Sequence, residues 1–149
     1  MNNALEIWSV EYGQLIAASK ARIWQVLSNT NAWHQWNPGV AAIELEGEFE
    51  AGTFFTMAMP DGERLRSQLT QVDPARGFTD ETALAELTIV VEHLLETQDH
   101  EHTRVTYRLV ARGAAAEQVG RAVSSDFPIV LAGLARVALS RPVTSNERP

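Results

Sequence analysis

The sequence predicts an α+β fold: an antiparallel sheet of about seven strands, two short helices after the first strand, and one long C-terminal helix. Between residues 40 and 111, apolar and polar residues alternate in short runs separated by turn-forming residues. Strands connected this tightly pair with antiparallel neighbours, because parallel pairing needs a long crossover. The alanine-rich segment at residues 113–140 has high helical propensity. It alone is long enough to cover the apolar face of the sheet, and a curved sheet around one helix can enclose an internal cavity.

The first strand and the first helix precede this repeating pattern. Residues 5–17 alternate loosely between apolar and polar side chains, which predicts a strand. Ser19 suits the N-cap position, because its hydroxyl can accept a hydrogen bond from an unpaired backbone amide of the first turn. In residues 20–29 apolar side chains recur at helical spacing, which predicts a helix with one buried face.

The stretch NAWHQWNPGV, residues 31–40, holds two of the four tryptophans of the chain. Trp33 and Trp36 are three positions apart, so they point to one side of a second short helix. The Asn-Pro step that follows ends this helix, because the residue before proline avoids the helical region. His34 is predicted to face solvent. The stretch is therefore either an active-site segment or packing that closes one end of the fold.

Six further strands and a kinked helix complete the predicted fold. The strands are expected at residues 40–47, 52–59, 63–72, 77–84, 87–97 and 102–111. In the third of these, the pattern leaves open whether Arg66, Gln68 and Thr70 face a cavity or solvent. Pro128 lies inside the last helix and lacks an amide hydrogen, so a kink is expected there.

Composition and charge restrict the possible classes of function. The absence of cysteine excludes disulfides, thiolate metal sites and cysteine nucleophiles. A net charge of −7 argues against a nucleic-acid partner, which requires clustered basic residues. No run has the character of a signal peptide or a membrane span, so we predict a cytoplasmic protein without membrane insertion. At 149 residues we expect a single domain over residues 1–141, followed by a polar tail at 142–149.

His93 is the most informative polar residue in the predicted strands. Alternation places it on the same strand face as Ile89, Val91 and Leu95, and this face is the apolar one. A one-residue change of register would turn the imidazole outwards, so the prediction depends on this phase. We therefore expect His93 to point into the core.

Two further polar residues are expected beside His93. If the hairpin turns fall at the turn-forming residues, Tyr107 is its cross-strand neighbour, Phe78 lies opposite it on the other side, and Asp80 is diagonal to it. One interpretation is a core network in which Asp80 accepts from His93 and the groups satisfy one another. The other is a catalytic site, with His93 as a general base oriented by Asp80 and Tyr107 stabilising an enolate oxygen.

Metal and cofactor motifs are not found in the sequence. His100 and His102 lie at a hairpin tip with acidic neighbours but without a clear third ligand, so no metal site is predicted. A glycine-rich phosphate loop is also missing, and no cofactor is expected.

Three stretches of the sequence resemble the START-like, or SRPBCC, superfamily of helix-grip proteins, and in particular its bacterial polyketide cyclase/dehydrase branch. They are ASKARIWQVLSNTNAWHQWNPGV, the strand segments GFTDET, VVEHLLE and TRVTYRLVARG, and the last helix with its internal DFP. The resemblance extends from about Ile7 to Val137. It implies the helix-grip fold, in which a seven-stranded antiparallel curved sheet surrounds a long kinked C-terminal helix and an internal cavity.

The resemblance also implies what the chain does and which residues do it. Trp33 and Trp36 would be packing anchors, with Trp36 at the cavity mouth as the alternative. The first expectation is a protein, monomeric or homodimeric, that binds a small hydrophobic or polycyclic ligand, with lipids as one possible class. The alternatives are a cofactor-independent cyclase, aromatase or dehydratase acting on a polyketide-type carbonyl, and a regulatory interaction protein.

The candidate site residues fall into two sets. The predicted ligand-binding residues are Trp36, Phe55, Met57, Phe78, Val91, Leu109, Phe127 and Leu131. The predicted catalytic residues are His93, Asp80 and Tyr107.

Overall fold

The computed structural model of the protein describes residues 6–140. Its strands are β1 (Ile7–Ile16), β2 (Ala42–Leu45), β3 (Phe54–Ala58), β4 (Arg64–Asp73), β5 (Gly77–Leu84), β6 (Leu87–Asp99) and β7 (His102–Gly113). Its helices are α1 (Lys20–Leu27), a 3₁₀ helix (Thr30–Gln35), α2 (Ala116–Ser124) and α3 (Phe127–Leu139). The predicted polar tail at 142–149 lies outside the described residues.

The strands form one antiparallel sheet of seven in the order β1-β7-β6-β5-β4-β3-β2. Hairpins connect β2 to β7 in succession, whereas β1 pairs with β7 from the other end of the chain. The first and last strands are therefore neighbours, and β1 and β2 form the two edges. This arrangement confirms the predicted antiparallel α+β fold, with both short helices between β1 and β2.

The inner face of β4, which the sequence pattern left open, is settled by burial. Ser67 and Leu69 are buried, whereas Arg66, Gln68 and Thr70 lie on the outer side of the strand. The register between β4 and β5 shifts after Leu69, which is the mark of a β-bulge. The bulge explains why simple alternation along this strand was ambiguous.

Arg22 ties the first helix to the last one. Ser19 caps α1 as predicted, with its hydroxyl accepting a hydrogen bond of 3.1 Å from the Arg22 amide. The guanidinium of Arg22 donates to the carbonyls of Val137, Ala138 and Ser140 at 3.0, 3.2 and 3.3 Å. Because the last carbonyls of a helix have no partner within the helix, this one side chain both caps α3 and fixes it against α1.

The C-terminal helix is kinked, and the break lies just before Pro128. Ser125 and Asp126 separate α2 from α3, and Pro128 falls in the first turn of α3, where its missing amide hydrogen is not needed. Residues 116–139 are long and apolar enough to cross a membrane by length and composition. In the structure α3 instead packs against β1 and α1 with most of its large apolar side chains buried, as a core helix does.

Candidate functional site

A cavity of about 530 Å³ lies between the concave face of the sheet, the 3₁₀ helix and the α2–α3 junction. Its lining is mainly apolar and aromatic, and includes Trp33, Trp36, Val40, Phe55, Met57, Phe78, Ile89, Val91, Phe127 and Val130. Leu84 and Val123 also line it, and these residues are 41% and 39% exposed. These exposed residues mark a mouth through which a ligand can reach the interior.

Aromatic rings in mutual contact form one wall of this cavity. Phe78 stacks on His93 with ring centroids 3.9 Å apart, and it also stacks on Trp33 at 6.0 Å. His93 meets Tyr107 edge to face at 4.5 Å, and Tyr107 meets Phe127 in the same way at 5.4 Å. Since each ring restrains its neighbours, the imidazole and the phenol are held in fixed orientations.

The three predicted catalytic residues lie together on the sheet wall. The register pairs Phe78 with His93 and His93 with Tyr107, as the sequence pattern predicted. His93 is buried, and its Nε2 atom is 3.9 Å from Oδ2 of Asp80. All three polar side chains line the cavity. Strand phase and hairpin position were therefore enough to bring them together.

The hydrogen bonds of these residues differ from those expected. Nδ1 of His93 lies 3.1 Å from the Phe78 carbonyl, and because a carbonyl only accepts, Nδ1 carries the proton. The neutral ring then presents the lone pair of Nε2 towards Asp80, but 3.9 Å is too long for a hydrogen bond. The predicted hydrogen bond from His93 to Asp80 is therefore wrong, because the imidazole N–H donates to the backbone carbonyl of Phe78 instead.

The side chains of Asp80 and Tyr107 have no protein hydrogen-bond partner within residues 6–140. Among the side-chain nitrogen and oxygen atoms of residues 6–140, only Nε1 of Trp36 has neither solvent-accessible surface nor a hydrogen-bond partner. The Asp80 carboxyl and the Tyr107 hydroxyl thus keep accessible surface, and that surface faces the cavity they line. A bound molecule could supply the partners that the protein does not.

Burial controls the ionisation of this wall. It lowers the pKa of His93 to about 4, with the Phe78 hydrogen bond acting in the opposite direction. It raises the pKa of Asp80 to about 7. Burial, and after it the charge of Asp80, raises the pKa of Tyr107 above its usual range. The group whose pKa lies near neutral pH is therefore Asp80 and not the histidine proposed as general base.

Other polar residues, which the sequence analysis did not select, also line the cavity. Ser67 and Thr82, on adjacent strands, share a buried hydrogen bond of 2.6 Å between their hydroxyls. Asp126 lies at the helix break, where partial burial raises the pKa of its carboxyl. The DFP sequence around it was noticed as part of the helix, but only the break between α2 and α3 turns this carboxyl towards the cavity.

Of the eight predicted ligand-binding residues, six line the cavity and two do not. Trp36, Phe55, Met57, Phe78, Val91 and Phe127 line the cavity. Leu109 and Leu131 do not, because both are fully buried in the packed core. Leu109 lies where Gly120 lets α2 approach the sheet closely, and Leu131 is buried in α3 next to Val130, which does line the cavity.

The two tryptophans of the 31–40 stretch are both packing residues and cavity residues. Trp33 and Trp36 are buried and meet edge to face at 6.1 Å. Nε1 of Trp33 donates to the Leu27 carbonyl at 2.8 Å, whereas the indole nitrogen of Trp36 has no partner. His34 is exposed, as predicted. Packing and a position at the cavity were treated as alternatives for this stretch, and both tryptophans are buried and also line the cavity.

Comparisons with known proteins agree with this fold. A family model described as "polyketide cyclase / dehydrase and lipid transport" matches residues 8–139. No curated protein is similar in sequence at a significant level.

Several solved structures share the architecture. The Zhui aromatase/cyclase from Streptomyces sp. R1128 is 18% identical with a TM-score of 0.73, covering 89% of this chain and 94% of that protein. Norcoclaurine synthase from Thalictrum flavum is 11% identical with a TM-score of 0.73, covering 93% and 90%. A protein from Thermobifida fusca is 19% identical with a TM-score of 0.71, covering 87% and 92%. At these identities the likeness is one of fold.

Proposed function

The chain belongs to the family described as polyketide cyclase / dehydrase and lipid transport, and from this premise we propose that it binds a small hydrophobic or polycyclic molecule inside the fold. The observation that carries the proposal is the cavity of about 530 Å³ with its aromatic lining. Burial of apolar ligand surface is worth roughly 25 cal/mol per Å² before the costs of association. A bicyclic or tricyclic compound is therefore expected to bind with micromolar affinity.

The test is a titration with a neutral hydrophobic dye such as Nile red, read by fluorescence. Val91→Trp places a large ring in the cavity, because Val91 is buried on the cavity side of β6. Val90→Trp is the matched control, because the neighbouring residue lines a groove on the outer face of the sheet. We expect saturable binding to the native protein, weakened about tenfold or more by Val91→Trp and unchanged by Val90→Trp.

Circular dichroism of both variants establishes that each remains folded. Absence of saturable binding to the native protein would contradict the proposal. So would an equal effect of the two substitutions, because the dye would then not occupy the cavity.

A second candidate function, a cofactor-independent cyclase, aromatase or dehydratase, is favoured by the unpartnered polar groups on the cavity wall. A carboxyl with a pKa near 7, as burial gives Asp80, suits a general base at neutral pH. Its carboxylate would take a proton from the carbon next to a ligand carbonyl, and the Tyr107 hydroxyl would donate a hydrogen bond to the enolate oxygen. Neutral His93 would accept a hydrogen bond from the ligand through Nε2. Asp80 thereby takes the base role first expected of the histidine.

Hydrogen–deuterium exchange at the carbon next to the carbonyl of 2-tetralone tests this chemistry. The ketone is bicyclic, so it suits the cavity, and its exchange is followed by NMR without knowledge of the natural substrate. We expect the protein to accelerate exchange and Asp80→Asn to reduce the acceleration by about 10²-fold while binding persists. Glu81→Gln, on the outer face of the same strand, should leave the rate unchanged. If 2-tetralone binds without accelerated exchange, the binding function stands and the enzymatic one fails.

A further inference from the structure

We propose that the cavity selects ligands by charge: it accepts a molecule whose buried polar group is neutral and able to both donate and accept hydrogen bonds, and it rejects a carboxylate. The inference rests on the proposed ligand-binding function and deepens it. A hydroxyl, an amide or an enol has the required chemistry, whereas a free fatty acid or another carboxylic acid in its ionised form does not.

The charges that line the cavity are the first argument. Its titratable residues are Asp80 from β5, His93 from β6, Tyr107 from β7 and Asp126 from the α2–α3 junction. Among residues 6–140, no lysine or arginine lines it, although the chain has 12 of them. An anion buried in apolar surroundings requires a partner of opposite charge or several hydrogen-bond donors. The lining offers no such cation, and the carboxyls of Asp80 and Asp126 repel an anion.

The hydrogen-bonding character of the deep wall is the second argument. Nε2 of His93 presents a lone pair, because the proton of the ring is held on Nδ1 by the Phe78 carbonyl. The ionised carboxyl of Asp80 likewise only accepts, and the Tyr107 hydroxyl is free to donate. A ligand group with both a donor and an acceptor can donate to His93 or Asp80 and accept from Tyr107. The oxygens of a carboxylate only accept, so they would lie beside two other acceptors.

The position of Asp126 is the third argument. This residue occupies the N-cap position of α3, but its side chain makes no capping hydrogen bond. Its Oδ2 atom lies beside Gly39, which also lines the cavity. Asp126 is three residues along the chain from Val123, one of the exposed residues that mark the mouth, so a ligand that enters there meets a second carboxyl in addition to Asp80. Both carboxyls act against the entrance of an anion.

A pair of isosteric ligands tests the inference. 2-Naphthamide and 2-naphthoate share the same apolar body and differ in whether the polar group is a neutral donor–acceptor or an anion. Calorimetric titration of the whole protein at about pH 8.5, where Asp80 is ionised, is expected to show the amide binding about tenfold or more tightly than the carboxylate. At about pH 5.5 naphthoate keeps its charge while Asp80 is protonated, so the difference should narrow.

Two variants locate the origin of the selectivity. Asp80→Asn removes the negative charge and adds a donor, and should reduce the preference for the amide at about pH 8.5 severalfold. Glu81→Gln removes the same charge from the adjacent residue on the outer face and should leave the preference intact. Equal binding of both ligands, or tighter binding of naphthoate, at about pH 8.5 would overturn the inference even though ligand binding itself would be supported. If neither ligand binds and Nile red does not bind either, the proposed function fails and the inference with it.

Discussion

Asp80 and His93 show how burial, rather than residue type, decides which side chain exchanges a proton near neutral pH. Histidine is usually the group that titrates there. In this cavity desolvation lowers the pKa of His93 to about 4 and raises the pKa of Asp80 to about 7. Burial disfavours the charged form of each group, so it lowers the pKa of the histidine and raises the pKa of the carboxyl. The pKa of the carboxyl thereby moves into the neutral range.

The pH dependence of the protein's stability should reflect the ionisation of Asp80. The folded state holds its proton up to about pH 7, whereas an unfolded chain releases it near the ordinary value of 3.8, so this residue reduces stability as pH rises through that window. Asp80→Asn stays neutral and lacks this loss. Between about pH 5 and about pH 8.5, the thermal midpoint of the native protein is expected to fall relative to the variant by roughly 5–10 °C.

Differential scanning calorimetry measures this difference, with Glu81→Gln as the control for a carboxylate removed from the outer face of the same strand. A difference between native protein and Asp80→Asn that does not vary with pH would show that Asp80 is not buried in its neutral form.

The paired tryptophans should respond unequally to the same change. Trp33→Phe removes an indole that donates to the Leu27 carbonyl, whereas Trp36→Phe removes one whose nitrogen is unpaired. Both lose similar apolar area, so the hydrogen bond accounts for the difference. Urea unfolding is expected to show Trp33→Phe less stable than Trp36→Phe by about 1–2 kcal/mol. Equal losses would mean that the Trp33 hydrogen bond contributes nothing to stability.

At the scale of secondary-structure elements, close packing of the last helix holds the cavity in shape. Gly133 lies where α3 crosses the backbone of Trp36, and a Cβ atom at this position would collide with the Trp36 carbonyl. Gly120 lies where α2 crosses the Trp8 ring, and a Cβ atom there would meet that side chain. A half-buried side chain can move aside, whereas the backbone of Trp36 is held by the packed 3₁₀ helix.

Substitution of these two glycines by alanine should therefore have different consequences. In an exposed helix, alanine in place of glycine stabilises by about 1 kcal/mol. Gly133→Ala is expected instead to destabilise the protein by about 1–3 kcal/mol in urea unfolding, because α3 must shift away from Trp36. Gly120→Ala should stay within about 1 kcal/mol of the native protein. A stabilised Gly133→Ala variant would contradict the close approach of α3.

At the scale of the whole molecule, the cavity exists only when three parts of the fold come together. The sheet supplies the polar wall, the 3₁₀ helix and the residue after it supply Trp33 and Trp36, and the start of α3 supplies Asp126 and Phe127. None of these parts encloses a volume alone. Ligand binding is thus linked to global folding, because the unfolded chain offers no site.

Because only the folded protein offers the site, a ligand should stabilise it by an amount set by the ligand concentration relative to the dissociation constant. 2-Naphthamide at about one hundred times its dissociation constant is expected to add about 2.7 kcal/mol of stability and to raise the thermal midpoint by roughly 5–10 °C. Val91→Trp, which fills the cavity, should show little shift, and Val90→Trp should shift like the native protein. Thermal scanning at several ligand concentrations measures the effect. A shift of equal size in both variants would place the binding site outside the cavity.

The sequence by itself determined the elements and the position of the polar wall. Period-two alternation gave the strand faces, and short turns gave antiparallel hairpins, so His93 could be paired with Phe78 and Tyr107 before any coordinates. These features follow from local rules, since side-chain phase and turn position depend on residues close in the chain. Alternation left the inner face undecided only in β4, where a bulge breaks the alternation.

The tertiary structure alone decided which groups are paired, how they ionise and where the cavity ends. His93 donates to the Phe78 carbonyl and not, as the sequence had suggested, to Asp80, and Asp126 lines the cavity because the helix breaks there. Leu109 and Leu131 were excluded from the lining because other elements pack over them. Distances of a few tenths of an ångström decide whether a hydrogen bond forms, and desolvation depends on everything that surrounds a group. Such quantities arise from contacts between residues far apart in the chain, so a pattern read along the sequence cannot contain them.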